Sequence, residues 1–258
     1  MKKEQKYNWL YGLVISVFLF SSPVKAADLP SITVLASSSL SEALIEITRE
    51  YSRKKHVIVN LQFSTSLEFV EQIEDGASAD LFISADPELV KRLKNQGLID
   101  VYSQTNLVEN KLALIARSDN DITFGEDTDL KAFLLENGEK RKLTMADSFH
   151  TALGQRSKEI LEKLLGDKYY KMPVLYVSNP NWIKEIVVEK NKIGITYFSD
   201  TIDNPDIKLL TIIEDAKPVL YQAAVVAGEN MSPAREYLNY IKSDTTKEVF
   251  EKYGFIKK

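Results

Sequence analysis

Two runs of hydroxyl side chains, Ser37-Ser38-Ser39 and Ser64-Thr65-Ser66, stand at equivalent places in this chain of 258 residues. Each follows an apolar stretch of strand length, residues 32–36 and 57–63. Each opens a segment with the apolar spacing of a helix, residues 40–51 and 67–73. One serine at such a junction caps a helix by accepting an orphan N–H. Three in succession, twice, exceed what capping uses. The surplus hydroxyls, with the free N–H groups and partial positive charge of a helix N-terminus, make a donor set suited to an anion. Such a site needs no lysine or arginine, and hydrogen bonds to a charged group are the strong kind.

The donor type limits the anion. A fully deprotonated oxyanion presents only acceptors, which suits sulfate, molybdate or tungstate. Protonated phosphate also carries a donor and calls for a facing carboxylate; neither run contains Asp or Glu. An amino acid would want an arginine and an acid, also missing from both runs. Donor type leaves open which of the three oxyanions is held.

Other chemistries have less to stand on. The chain has no cysteine and two histidines, too few for a histidine-based metal site. His56 follows Lys54-Lys55 in a loop, and His150 ends the stretch Asp147-Ser148-Phe149-His150 just before a helix. Neither a Gly-x-Ser-x-Gly elbow nor a phosphate-binding P-loop occurs. The chain is therefore read as a binder and not an enzyme, without a cofactor. An exported serine hydrolase acting through one hydroxyl run stands as the alternative from another class.

The elements that must position these residues alternate in type. Strand-like runs are expected at 32–36, 57–63, 80–84, 112–116, 143–146, 174–177, 193–197 and 219–226. Helices are expected at 40–51, 67–73, from Asp86-Pro87-Glu88 to Gly97, and at 157–165, 182–189, 233–241 and 246–253. This alternation predicts an α/β protein with mostly parallel sheets covered by helices. No repeat, low-complexity tract or linker divides it. Two lobes with two chain crossings are expected, lobe 1 from 27–110 and 221–258, lobe 2 from 111–220.

The N-terminus is different in kind. Lys2, Lys3 and Lys6 precede an apolar run from Trp9 to Phe20, then Pro23 and the small-x-small pattern Val24-Lys25-Ala26. Residues 1–26 are read as a secretory signal peptide cleaved near Ala26. With no cysteine to carry a lipid, a soluble periplasmic protein is expected, its core built without disulfides. Removing this segment takes away four lysines and Glu4, leaving 29 basic against 36 acidic side chains, net −7. Such a chain is a poor partner for nucleic acid.

Four motifs in order resemble the periplasmic molybdate-binding proteins of ABC transporters, which have a two-lobed, type II periplasmic-binding-protein fold. They are Ile32-Thr33-Val34 with Ala36-Ser37-Ser38-Ser39-Leu40, the stretch from Gln72 through Gly76-Ala77-Ser78-Ala79-Asp80-Leu81-Phe82-Ile83-Ser84-Ala85-Asp86, Gly194-Ile195-Thr196-Tyr197, and Phe250-Glu251-Lys252-Tyr253-Gly254-Phe255. The resemblance implies a cleft between the lobes that holds molybdate or tungstate. It implies Ser39 and Ser66 as hydroxyl and N–H ligands and Tyr197 as a phenol donor. It also implies backbone N–H donors near Leu153, just before Gly154 and a helix, and at the start of the helix after Val177. In that last place the chain departs from the family, because Pro180 has no N–H; Asn179 is placed as N-cap, Pro180 first in the helix and Asn181 as donor. The implied partners are an inner-membrane ABC permease with a cytoplasmic ATPase, and the expected form is a monomer.

Overall fold

The structure is a computed structural model that describes residues 29–257. The signal-peptide segment lies outside the described residues. In chain order the elements are β1 (Ser31–Ser37), α1 (Ser41–Lys55), β2 (Ile58–Ser64), α2 (Ser66–Glu74), β3 (Leu81–Ser84), α3 (Pro87–Asn95), β4 (Thr105–Asn110) and β5 (Leu112–Arg117). There follow α4 (Leu130–Arg141), β6 (Leu143–Ala146), α5 (Ala152–Leu165), β7 (Val174–Val177), α6 (Trp182–Lys190), β8 (Ile193–Tyr197) and β9 (Ile207–Ile212). The chain closes with β10 (Val219–Val225), α7 (Met231–Lys242), α8 (Lys247–Lys252) and β11 (Ile256–Lys257).

The strands form two sheets, one in the order β11-β4-β10-β3-β1-β2 and one in the order β7-β6-β8-β5-β9. The two-lobed α/β architecture agrees with the sequence. The sheets, however, are mixed and not mostly parallel. In the first, β1 runs parallel to β2 and β3, but β10 enters antiparallel between β3 and β4. In the second, β6 is parallel to β7 and β8, while β5 is antiparallel to β8 and β9. The reversal follows from the connections. β5 is entered straight from β4 of the other sheet through Lys111, and β10 returns to the first sheet after β9, so neither β5 nor β10 has a helical crossover to set it parallel.

Both faces of the first sheet are buried. Ile32, Val34 and Ala36 pack on one side with Leu44 and Ile47 of α1 and Tyr237 of α7. Leu35 and Phe82 pack on the other with Phe69 and Val70 of α2 and Val90 of α3. This doubly covered arrangement explains why β1 and β3 read as continuous apolar runs. Among the described residues, no helix is long and apolar enough to cross a membrane.

Candidate functional site

The carboxyl ends of parallel strands converge on one cleft. Ser37 is paired with Ser64 across β1 and β2, so both hydroxyl runs leave the first sheet at the same edge. In the second sheet, the carboxyl ends of β6, β7 and β8 deliver residues 147–151, residues 178–181 and Tyr197. Ligands in open α/β sheets bind outside such ends. A cavity of about 230 Å³ is bordered by Ser38, Thr65 and Ser66 on one side and by Ala152, Pro180 and Tyr197 on the other. A larger one of about 670 Å³ is bordered by Ser38, Ser39, Asn181 and Lys184. Ser38 belongs to both, so the cavities meet at the first hydroxyl run.

Their walls differ in charge. Glu42, Glu185, Glu189, Asp200, Asp203 and Asp206 border the larger cavity and far outnumber Lys184. That wall repels an anion. In the smaller cavity the acidic side chain is Asp86, whose Oδ1 accepts the Glu88 N–H at 3.0 Å as N-cap of α3.

Ser66 is the first residue of α2 and is buried. Its Oγ accepts the Ala85 N–H at 3.1 Å, which leaves its own proton free to donate. Thr65, not Ser66, caps α2, accepting from the Glu68 N–H at 3.3 Å. Ser64 donates to the Glu68 carboxylate. The first run does no capping with its side chains. Ser38–Leu40 form a 3-10 turn ahead of α1, and neither turn nor helix has a side-chain cap. Ser39 Oγ lies 2.7 Å from the Tyr221 hydroxyl and 3.4 Å from Ser37 Oγ.

Tyr197 ends β8, 4 % exposed, with its ring 6.4 Å from that of Tyr221. Burial, and then the neighbouring Tyr221, push its phenol well above the ordinary value, so it is neutral and keeps a proton to donate. Gly194 lets α6 pack close beneath it: a Cβ there would stand 2.7 Å from Val187 Cγ2 and 2.9 Å from Ile183 Cγ2. Asp200 ties the same region together, accepting from Lys184 Nζ at 2.9 Å and from the Thr196 hydroxyl.

Leu153 lies inside the first turn of α5, which begins at Ala152, five residues before the position read from the apolar pattern. Thr151 caps this helix and takes the Gly154 N–H at 3.0 Å. First-turn N–H groups have no partner within their helix, and that of Leu153 is one of them. The Leu153 side chain is fully buried; its neighbours Thr151, Ala152 and Gln155 border the smaller cavity. Asn181 sits differently from the placement read above. It is the N-cap of α6, which starts at Trp182, and its N–H already donates to Asn179 Oδ1 at 3.0 Å. Asn179 and Pro180 form a turn ahead of the helix, with Trp182 N–H on Asn179 O at 3.1 Å. Ser66 and Tyr197 thus share the smaller cavity, Ser39 and Asn181 the larger, and Leu153 borders neither.

Three site neighbours escaped the sequence reading. Ser38 was submerged in its run. Asp86 entered as a helix cap and as the end of a family motif but not as part of the site, although a residue at the carboxyl end of β3, beside β1, must face the same cleft. His150 borders the smaller cavity with Nδ1 3.0 Å from Asp147 Oδ1, which also accepts the N–H of Phe149 at 2.7 Å and of His150 at 3.2 Å. Among the described residues no serine hydroxyl bonds to His150, so a serine–histidine nucleophile is not assembled. Nor, among them, is any group of three or more His, Cys, Asp or Glu placed to hold a metal ion.

Burial acts to raise the Asp147 carboxyl, but the donors from Phe149 and His150 outweigh it and hold the group below its ordinary value. A carboxylate held low in the folded state stabilises it above the unfolded pKa of about 3.9, and that contribution is lost as pH falls through the folded value. Asp147→Asn is therefore expected to lower the urea midpoint at neutral pH, with the gap to the parent closing below about pH 4. A gap that stays constant with pH would remove the charge from this account.

Comparison with known proteins places the chain. Residues 32–256 match the family model of bacterial extracellular solute-binding proteins. The molybdate-binding protein ModA of Escherichia coli is 34% identical over 236 residues, 89% of this chain and 90% of that protein. The ModA of Haemophilus influenzae is 29% identical over 99% of both chains. The solved periplasmic molybdate-binding protein of Azotobacter vinelandii superposes with a TM-score of 0.72 at 16% identity, covering 87% of this chain and 98% of that one, a likeness of fold. The chain belongs to the bacterial extracellular solute-binding protein family and, within it, is ModA-like.

Proposed function

We propose that this protein binds a tetrahedral oxyanion, molybdate and with it tungstate, where the two cavities meet, and delivers it to an ABC transporter. The observation that carries the reading is the convergence of donors. Ser66 keeps its proton because its oxygen accepts from Ala85, Tyr197 stays protonated, and the starts of α2 and α5 stand on opposite sides of the smaller cavity. The proposed ligand set is Ser39, Ser66 and Tyr197 through their hydroxyls and Leu153 through its backbone N–H. Asn181 joins it only by releasing Asn179 when the lobes close. Closure about the crossings between residues 110 and 111 and near 220 divides the chain into the two lobes read above; hinge closure around a ligand is a common switch.

The partner proposed for the closed form is an inner-membrane permease with a cytoplasmic ATPase. The protein works as a monomer, exported with cleavage near Ala26 and held by no lipid, since the chain has no cysteine.

Calorimetric titration of residues 27–258 with molybdate, tungstate and sulfate tests this. Tight one-to-one binding of the first two, with little heat from sulfate, is expected. Asp86 favours a second reading, because a carboxylate on the wall can accept from a protonated oxyanion. Tight sulfate or phosphate binding with molybdate silent would replace the ligand named here.

A further inference from the structure

We propose that His150 is a binding residue of the cleft that takes up a proton as the oxyanion enters, so that capture strengthens as pH falls through the neutral range. The inference rests on the oxyanion reading of the site and adds a charge to it. Among the described residues, Asp86, His150 and Tyr197 are the ionisable side chains that border the smaller cavity. Tyr197 is neutral, and Asp86 brings a carboxylate to a wall that must face an anion. No lysine or arginine among the described residues borders this cavity. His150 is therefore the side chain there that can supply a positive charge.

Local geometry fixes which ring nitrogen does so. Asp147 Oδ1 accepts the N–H of Phe149 at 2.7 Å and of His150 at 3.2 Å, and lies 3.0 Å from Nδ1 of the His150 ring. A carboxylate oxygen only accepts, so Nδ1 carries a proton in the neutral ring and in the imidazolium alike. Nε2, on the other edge, is left as the titrating atom. Without a proton it presents a lone pair, which an anion avoids. With one it is a donor with a charge behind it, the strong kind. Asp147 borders a separate cavity with Tyr169 and Tyr170, not this one, so its bond to Nδ1 leaves the Nε2 edge for the cleft.

The charges around the ring set the sign. Asp147 at the end of β6 and Asp86 at the start of α3, across the cavity, favour the imidazolium. Lys158 of α5 opposes it from farther off, its Nζ 5.8 Å from the centre of the neighbouring Phe149 ring. Tyr197 of β8 adds no charge. An entering dianion adds two negative charges to this set and raises the protonated fraction of the ring. Imidazole is the side chain whose charge ordinarily changes between about pH 5 and 8, which puts the linkage in the neutral range. The His150 side chain is 65 % exposed and precedes Thr151, the N-cap of α5, so the charge stands at the rim beside the turn that offers the Leu153 N–H. Molybdate affinity is expected to rise about fivefold from pH 8 to pH 6, the scale of an exposed ion pair.

Calorimetric titration of the parent, His150→Gln, His56→Gln and Asp86→Asn with molybdate between pH 6 and pH 8, in two buffers of different ionisation enthalpy, tests the proposal. His56 is the control: it is the C-cap of α1, at the far end of that helix from the hydroxyl run. The parent and His56→Gln are expected to show the rise in affinity and a heat that depends on the buffer, the mark of proton uptake. His150→Gln should lose both. Proton NMR of the histidine rings supplies a second reading in the unmutated protein: saturation with molybdate should move the titration midpoint of His150 upward and leave that of His56 in place. An affinity independent of pH in the parent, a linkage that survives His150→Gln, or one that vanishes only in Asp86→Asn would each overturn the role of His150. The failure of the underlying reading looks different: the parent would then take up no molybdate at any pH.

Discussion

Ser66→Ala is expected to weaken molybdate binding by roughly one to two decades and to lower stability as well. The first effect is the loss of a hydrogen bond to a charged group, about 1.5–3 kcal/mol. The second comes from Ala85, a buried residue whose N–H donates to Ser66 Oγ at 3.1 Å. Alanine leaves that N–H without an acceptor, at about 1–3 kcal/mol if no water reaches it. The two effects separate experimentally, because calorimetry reads the folded protein alone and a urea midpoint without ligand reads only the Ala85 term. Ser39→Ala makes the useful contrast. It removes a comparable ligand bond, but the partner left behind is the Tyr221 hydroxyl, which has Tyr197 beside it and a rotatable proton. Its affinity loss should resemble that of Ser66→Ala while its stability loss is smaller. A Ser66→Ala protein that binds molybdate within twofold of the parent would place the anion somewhere else.

Much of this arrangement is written locally. β6 and β8 occupy residues picked out as strand-length runs and are buried on both faces; β7 also lies where its apolar run places it, although it is an edge strand with Tyr176 exposed. α3 begins where Asp86 and Pro87 place it, the Asp86 side chain accepting from the Glu88 N–H. The hydroxyl runs were legible because a strand end followed at once by a helix puts its residues at the carboxyl edge whatever the rest of the fold does.

What escaped was either locally ambiguous or assembled at long range. β4 mixes Asn106, Glu109 and Asn110 with its two buried apolar residues, Leu107 and Val108, and so shows no clean alternation. α4 contains Gly138, kept without a side chain by Met172 Sδ, which a Cβ would meet at 2.5 Å. The start of α5 hid behind Gly154 for a similar reason. The mixed sheets and the Ser39–Tyr221 contact depend on β10 returning from the far end of the chain to lie between β3 and β4. No window of sequence contains that pairing. Motif likeness to a family supplied Tyr197, which as one apolar-strand residue among several carries no mark of its own.

Gly154→Ala is expected to be the most damaging of the glycine substitutions near the cleft, and its sign is informative. Helix propensity alone favours alanine over glycine by about 1 kcal/mol in a helix interior. Here, however, a Cβ would stand 2.2 Å from Asp147 O and 2.5 Å from Ala146 O. Both are backbone atoms at the end of β6, so no side chain can swing aside to make room. The start of α5 must instead move away from the strand. Overpacking of this kind destabilises by about 1–3 kcal/mol or more. The same shift carries the Leu153 N–H out of line with the anion, and a hydrogen bond weakens steeply with angle and distance. Loss of stability and at least a tenfold loss of molybdate affinity should therefore arrive together. Gly194→Ala meets only the Val187 and Ile183 methyl groups, at 2.7 and 2.9 Å, which can yield in part; its effect should be milder. Gly228, with no atom within 4 Å of a Cβ, should accept alanine without effect. If Gly154→Ala proved as harmless as Gly228→Ala, α5 would not be seated on β6 as described, and its first turn could not serve as the donor from the second lobe.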